Sequence, residues 1–189
     1  MVAPAQHCAM KHAIGPRKEM GVRTVFNVLG PLTNPAGAPN QVLGVFKREL
    51  VRPIAEVLQR LGSHHVMVVH AADGLDEITV SGTTYVAELV DGEIREYQLE
   101  PQQFGLDTSS LDCLVVADSE ASLALIRQAL AGEPGAAADI IKLNAGAAIY
   151  VSGLASSLAE GVNHAAQLLQ SGAALAKLDQ LVTYTRSLA

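Results

Sequence analysis

The block from Gln41 to His70 constrains the fold of this chain more than any other part of it. Gln41-Val42-Leu43-Gly44-Val45-Phe46 is a short, mostly apolar run of strand length. Leu50, Ile54, Val57, Leu58 and Leu61 then recur at helical spacing, and Gly62 stands where that helix would end. His65-Val66-Met67-Val68-Val69-His70 follows as a second, nearly continuous apolar run. Strands of this kind are covered on both faces, and two of them joined by a helix pair in parallel through a right-handed crossover. The expected class is therefore α/β.

An antiparallel ribbon should follow the crossover. Thr83 to Val90 and Glu93 to Leu99 alternate about Asp91-Gly92, a dipeptide suited to a tight turn with positive φ at both central residues. The sheet is thus expected to be mixed, mainly parallel and flanked by helices. Residues 119–131 read as a helix with Leu123, Ile126 and Leu130 on one face. From Asp139 the pattern is helical to the end. Ile141 to Val151 is alanine-rich and apolar all round, as in a core helix, and Leu154, Leu158 and Val162 continue its packing. Gly172 separates a last helix in which Leu175, Leu178 and Val182 are spaced for burial. Segments 105–112 and 132–138 read as surface connections, and residues 1–189 as one domain, or one domain plus a helical appendage.

Composition narrows the function classes. The 189 residues are 49% apolar and 17% charged, enough to bury a core and unlike a disordered chain. No apolar run approaches the ~20 residues of a membrane helix. Cys8 and Cys113 have no metal-ligand spacing and read as free thiols of a cytoplasmic protein. A net charge of −6, no tryptophan and 4% aromatics argue against a nucleic-acid binder, which needs a basic stripe or stacking platforms. A small anion needs only one or two well-placed arginines.

Candidate chemistry gathers in two places. Residues 4–20 read as a helical segment bent at Gly15-Pro16, because the residue before a proline disfavours helical geometry. The bend re-aims Arg17, whose guanidinium can grip a carboxylate through two parallel hydrogen bonds. Val25, Phe26, Val28 and Leu29 then fit a short helix stopped by Gly30-Pro31. That turn suits either the floor or hinge of a cleft or a plain helix stop.

The second place is Asp76-Glu77, reached from the second strand through Ala71 to Leu75. Ligands of open α/β sheets gather beyond the carboxyl ends of parallel strands. Two adjacent carboxylates offer hard oxygens to a magnesium ion that keeps water and bridges to phosphate; the same pair also fits a solvated acidic turn. His7, His70, Asp73 and Asn144 are polar residues at the edges of these places, each with a structural role as the first expectation. His64-His65 has no acidic or cysteine partner at metal spacing. Ser81-Gly82-Thr83-Thr84 precedes a strand instead of opening a helix, which rules it out as a phosphate loop.

The wording RTVFNVLGPLTNP, preceded by HCAMKHAIGPR and followed later by GLDEIT, resembles anthranilate phosphoribosyltransferase over essentially the whole chain. The resemblance implies the C-terminal α/β domain of the nucleoside phosphorylase/phosphoribosyltransferase fold. It implies transfer of a phosphoribosyl group from phosphoribosyl pyrophosphate to the amine of anthranilate, with release of pyrophosphate, in tryptophan biosynthesis. Arg17 would meet the anthranilate carboxylate, His7 the aromatic substrate, and Gly30 would be a cleft element beside it. Asp76 and Glu77 would hold magnesium, the implied cofactor, and no catalytic base is implied. Thr79 stands where the family commonly has serine. A homodimer of the full-length protein and a glutamine amidotransferase partner belong to the same expectation.

The family's glycine-rich phosphate loop and Lys-His-Gly-Asn segment are not in this sequence. The expectation is a chain shortened at its N-terminal side and inactive alone. The rival readings are a pyrimidine nucleoside phosphorylase-like enzyme, which lacks the GPLTNP and GLDEIT wording, and a non-catalytic partner-binding module.

Overall fold

A computed structural model describes Leu32 and residues 37–188 of the chain. Strand β1 (Asn40–Gly44), helix α1 (Val51–Arg60) and strand β2 (His65–Ala71) form the expected crossover. β1 and β2 pair in parallel, from Asn40 opposite His65 to Gly44 opposite Val69. β1 is shorter than its apolar run, although the Val45 N–H still donates to the Val69 carbonyl at 2.9 Å.

Strands β3 (Thr84–Val90) and β4 (Glu93–Leu99) complete a four-stranded sheet in the order β1-β2-β3-β4. The turn between them has φ of 52° at Asp91 and 78° at Gly92, the left-handed pair that matches strand twist. The sheet is mixed, as expected. Among the described strands its parallel pairing is confined to β1 and β2, because β3 runs back along β2 and β4 along β3.

Both faces of the sheet are covered. On one, Ile54, Ala55 and Leu58 of α1 pack on Leu43, Val66, Val68, Ala87 and Leu89. The other carries Met67, Val69 and Val86 beneath Leu143, Ala147 and Val151 of helix α3 (Ala136–Val151) and Val162 of helix α4 (Leu158–Gln170). Helices α2 (Ser119–Leu130) and α5 (Ala173–Arg186) lie outside this layer, α2 against α3 and α5. Side chains cap α2 and α4: Asp118 accepts the Ala121 N–H, and Ser157 the Glu160 N–H.

Several expected core positions are exposed. Leu123 and Ile126 are 50% and 43% accessible, because α2 rests on other helices through the small side chain of Ala129. Leu154 is exposed because it sits in the turn between α3 and α4, not on a helix. Leu61 is exposed where α1 unwinds towards Gly62. Leu175, Leu178 and Val182 are half-buried, and α5 buries no residue fully. α3 begins at Ala136, ahead of Asp139, which shortens the connection at 132–138. The connection at 105–112 is more than surface, since Leu106 and Leu111 pack against the core.

A polar cluster lies under the sheet at the start of β2. His65 Nε2 is 2.8 Å from Glu88, whose other oxygen accepts the Tyr97 hydroxyl at 2.9 Å. Tyr150 packs edge-on against the His65 ring. Burial, and then the Glu88 carboxylate, push the Tyr150 hydroxyl up to about 12 and raise Tyr97 well above its ordinary range. None of the described helices is long and apolar enough to cross a membrane.

Candidate functional site

The segment joining β2 to β3 crosses the carboxyl ends of the parallel strands. Its ends are tied together by the Ala72 N–H donating to the Thr83 carbonyl at 2.9 Å. Within it, the Leu75 carbonyl accepts from the Ala71 N–H and Asp73 Oδ1 accepts from the Leu75 N–H, both at 2.9 Å. These bonds turn the chain sharply after β2 and carry Asp76 back over β1.

The segment meets β1 at Gly44. No side chain could stand there, because the Asp76 backbone already occupies the place of a β-carbon. A glycine inside a strand often marks such an approach. His70 supports the same corner: its ring is buried and Nδ1 donates to the Val45 carbonyl at 2.7 Å.

Beyond the acidic pair the segment is anchored to the core. Ile78, Thr79 and Val80 are buried, while Asp76 and Glu77 are exposed. The Thr79 N–H donates to Thr84 Oγ1 at 3.1 Å, and the Thr79 hydroxyl donates to Asp73 Oδ2 at 2.6 Å. Asp73 also accepts the Ser81 hydroxyl. Partial burial alone would raise the Asp73 carboxyl. Donation by Ser81, Thr79 and the Leu75 N–H, with His70 nearby, holds it below the usual carboxylate range. From α3, the Asn144 side chain reaches the Ile78 backbone. His70, Asp73 and Asn144 thus carry the structural roles expected of them, and Thr79 keeps a hydroxyl in use.

Two carboxylates are therefore offered to solvent by a segment with a fixed backbone. Among the described residues no group of three or more His, Cys, Asp or Glu is arranged to hold a metal ion. A dedicated all-protein cage is not what magnesium takes; one or two acids plus water and phosphate oxygens suffice, and Asp76 and Glu77 fit that donor set. A cavity of about 640 Å³ opens between the start of α1 and β3–β4, but neither Asp76 nor Glu77 lines it. There Arg48 lies over the Tyr85 ring at 3.8 Å, and Arg52 bridges Glu56 and Glu96. Of the site expected from sequence, His7, Arg17 and Gly30 lie outside the described residues. Gly44 is a site-shaping residue that strand patterning overlooked, and its only local signal was a glycine inside an apolar run.

Comparison with known proteins bears on what this geometry serves. Residues 1–175 match the family described as glycosyl transferase family, a/b domain. The chain is 59% identical to the anthranilate phosphoribosyltransferase of Thioalkalivibrio sulfidiphilus, over 99% of this chain and 55% of that protein. It spans about half the length of the curated relatives it matches. The crystal structure of anthranilate phosphoribosyltransferase from Thermus thermophilus superposes with a TM-score of 0.88 at 45% identity, over 97% of this chain and 54% of that one. The Saccharomyces cerevisiae enzyme in complex with PRPP and Mg gives a TM-score of 0.83 at 30% identity, over 96% and 52%. The fold expected from the sequence is the fold of these relatives, and the chain belongs to the glycosyl transferase family, a/b domain.

Proposed function

We propose that this chain works in the transfer of a phosphoribosyl group from phosphoribosyl pyrophosphate to the amine of anthranilate, with Asp76 and Glu77 as the magnesium-holding residues. The observation that carries the reading is the exposed acidic pair on a braced segment at the carboxyl ends of β1 and β2. The likeness to anthranilate phosphoribosyltransferases supports the substrates.

The chemistry asks little of a catalytic base. An aromatic amine is neutral at pH 7 and already nucleophilic, so displacement of pyrophosphate turns on positioning and on stabilising the charge that develops. Magnesium, when bound, supplies charge neutralisation at the leaving pyrophosphate. Asp76 and Glu77 would hold that ion. In this reading Arg17 is assigned to the anthranilate carboxylate, His7 to the aromatic substrate, and Gly30 to a cleft or hinge element close to it. Holding both reactants at fixed places replaces a bimolecular encounter with an oriented one.

The same reading assigns the reaction to tryptophan biosynthesis and to the cytoplasm, in keeping with the exposed free thiol of Cys113. It extends to a homodimer of the full-length protein and to a glutamine amidotransferase partner. The decisive experiment is a rate measurement on a full-length protein containing this chain, given anthranilate, phosphoribosyl pyrophosphate and magnesium. Consumption of anthranilate with release of pyrophosphate is expected. Phosphorolysis of a pyrimidine nucleoside in its place would overturn the reading.

A further inference from the structure

We propose that Asn144 is a positioning residue for the acidic pair: its carboxamide clamps both backbone groups of Ile78 and so sets where the preceding Asp76 and Glu77 stand. The proposal rests on the metal reading above and adds to it a residue from a different layer of the fold.

The Ile78 N–H donates to Asn144 Oδ1 at 2.9 Å, and Asn144 Nδ2 donates to the Ile78 carbonyl at 2.8 Å. The second Nδ2 hydrogen goes to the Ile140 carbonyl, one turn back on α3, at 3.0 Å. One side chain therefore does for Ile78 what a neighbouring strand does for a residue in a sheet. Ile78 is 2% exposed, so its backbone groups have little water to turn to and are costly to leave unpaired.

The clamp is also specific in chemistry. Both Nδ2 hydrogens meet carbonyl oxygens while Oδ1 meets an N–H, which uses a carboxamide in one orientation only. Aspartate in its place keeps size and shape but turns an oxygen on two carbonyls. The base of the clamp is rigid, because Leu143 and Ala147 on the same helix are buried under the sheet. Gly44 beneath Asp76 and Asn144 behind Ile78 thus grip the acidic pair from its two ends.

The test uses manganese as the probe, added to the protein with inorganic pyrophosphate. Paramagnetic broadening of the Asp76 and Glu77 amide signals in NMR spectra is the readout. Asn144→Asp should raise the manganese concentration for half-broadening about tenfold, the scale seen when a residue behind a metal ligand is lost. Circular dichroism checks that the fold is kept. Asp76→Ala with Glu77→Ala tests the underlying reading separately. If that pair leaves the broadening intact, the metal reading fails and the proposal falls with it. If it abolishes broadening while Asn144→Asp matches wild type, only the positioning role is overturned. Should Asn144→Asp not fold, hydrogen exchange in the wild-type protein decides. An Ile78 amide protected like those of Val68 and Val69 upholds the clamp, and one exchanging as fast as Asp76 and Glu77 refutes it.

Discussion

Gly44 and Asp76 meet backbone to backbone: a β-carbon at Gly44 would lie 1.5 Å from the Asp76 carbonyl oxygen and 2.5 Å from its carbon. The partner is main chain, so no rotamer change relieves the clash. The last residue of β1 and the first acid of the pair are in effect one joint. Gly44→Ala should destabilise the protein by about 1–3 kcal/mol, as overpacking does, because either the strand end or the acidic segment must move. Urea denaturation measures it, and a variant as stable as wild type would show that the joint is slack.

A second close approach joins α3 to α4. A β-carbon on Gly161 would lie 2.3 Å from the Gly146 carbonyl oxygen, and one on Gly146 would lie 2.6 Å from Val162 Cα. Helix propensity alone favours Gly161→Ala by about 1 kcal/mol. Crowding at a backbone contact opposes this and should win, because the two helices would have to separate over their shared core. Net destabilisation is expected in thermal or urea unfolding; a stabilised variant would mean that propensity wins.

Asp73 gives the acid limb of the stability profile a specific contributor. Its carboxyl is held below the usual carboxylate range in the folded state, with burial opposing and the hydrogen bonds from Ser81, Thr79 and Leu75 prevailing. The folded value lies below the unfolded one of about 3.9. Its stabilisation is therefore complete above the unfolded value and is lost as pH falls through the folded one. The stability difference between wild type and Asp73→Asn should be constant near neutrality and shrink below about pH 4. A difference independent of pH would remove Asp73 from the account.

How much of this was legible before the fold was known depends on distance along the chain. The crossover and the Asp91-Gly92 hairpin are specified by periodicity and turn chemistry within a few residues, and both stand where expected. Helical spacing put Leu123 and Ile126 on one face but could not say what would cover it, and α2 docks through Ala129. The joint between Gly44 and Asp76 and the clamp from Asn144 to Ile78 link residues far apart in sequence, so no local pattern encodes them. The acidic pair itself is ambiguous as a pattern, and only the resemblance carried by the longer GLDEIT wording favours a metal role over a solvated turn.

Arg17 carries the substrate half of the proposal. In a full-length protein, Arg17→Ala should raise the KM for anthranilate roughly tenfold to a hundredfold, the loss of about 1.5–3 kcal/mol expected for hydrogen bonds to a charged group. The KM for phosphoribosyl pyrophosphate should change far less. Equal changes in the two would contradict the carboxylate role.

The acidic pair is where the proposal is most exposed, and the magnesium dependence of the transfer rate tests it most directly. Asp76→Ala with Glu77→Ala, in a full-length protein containing this chain, should need far more magnesium for half-maximal rate and lose most of the metal's benefit. A double variant that follows the wild-type magnesium curve would contradict the account.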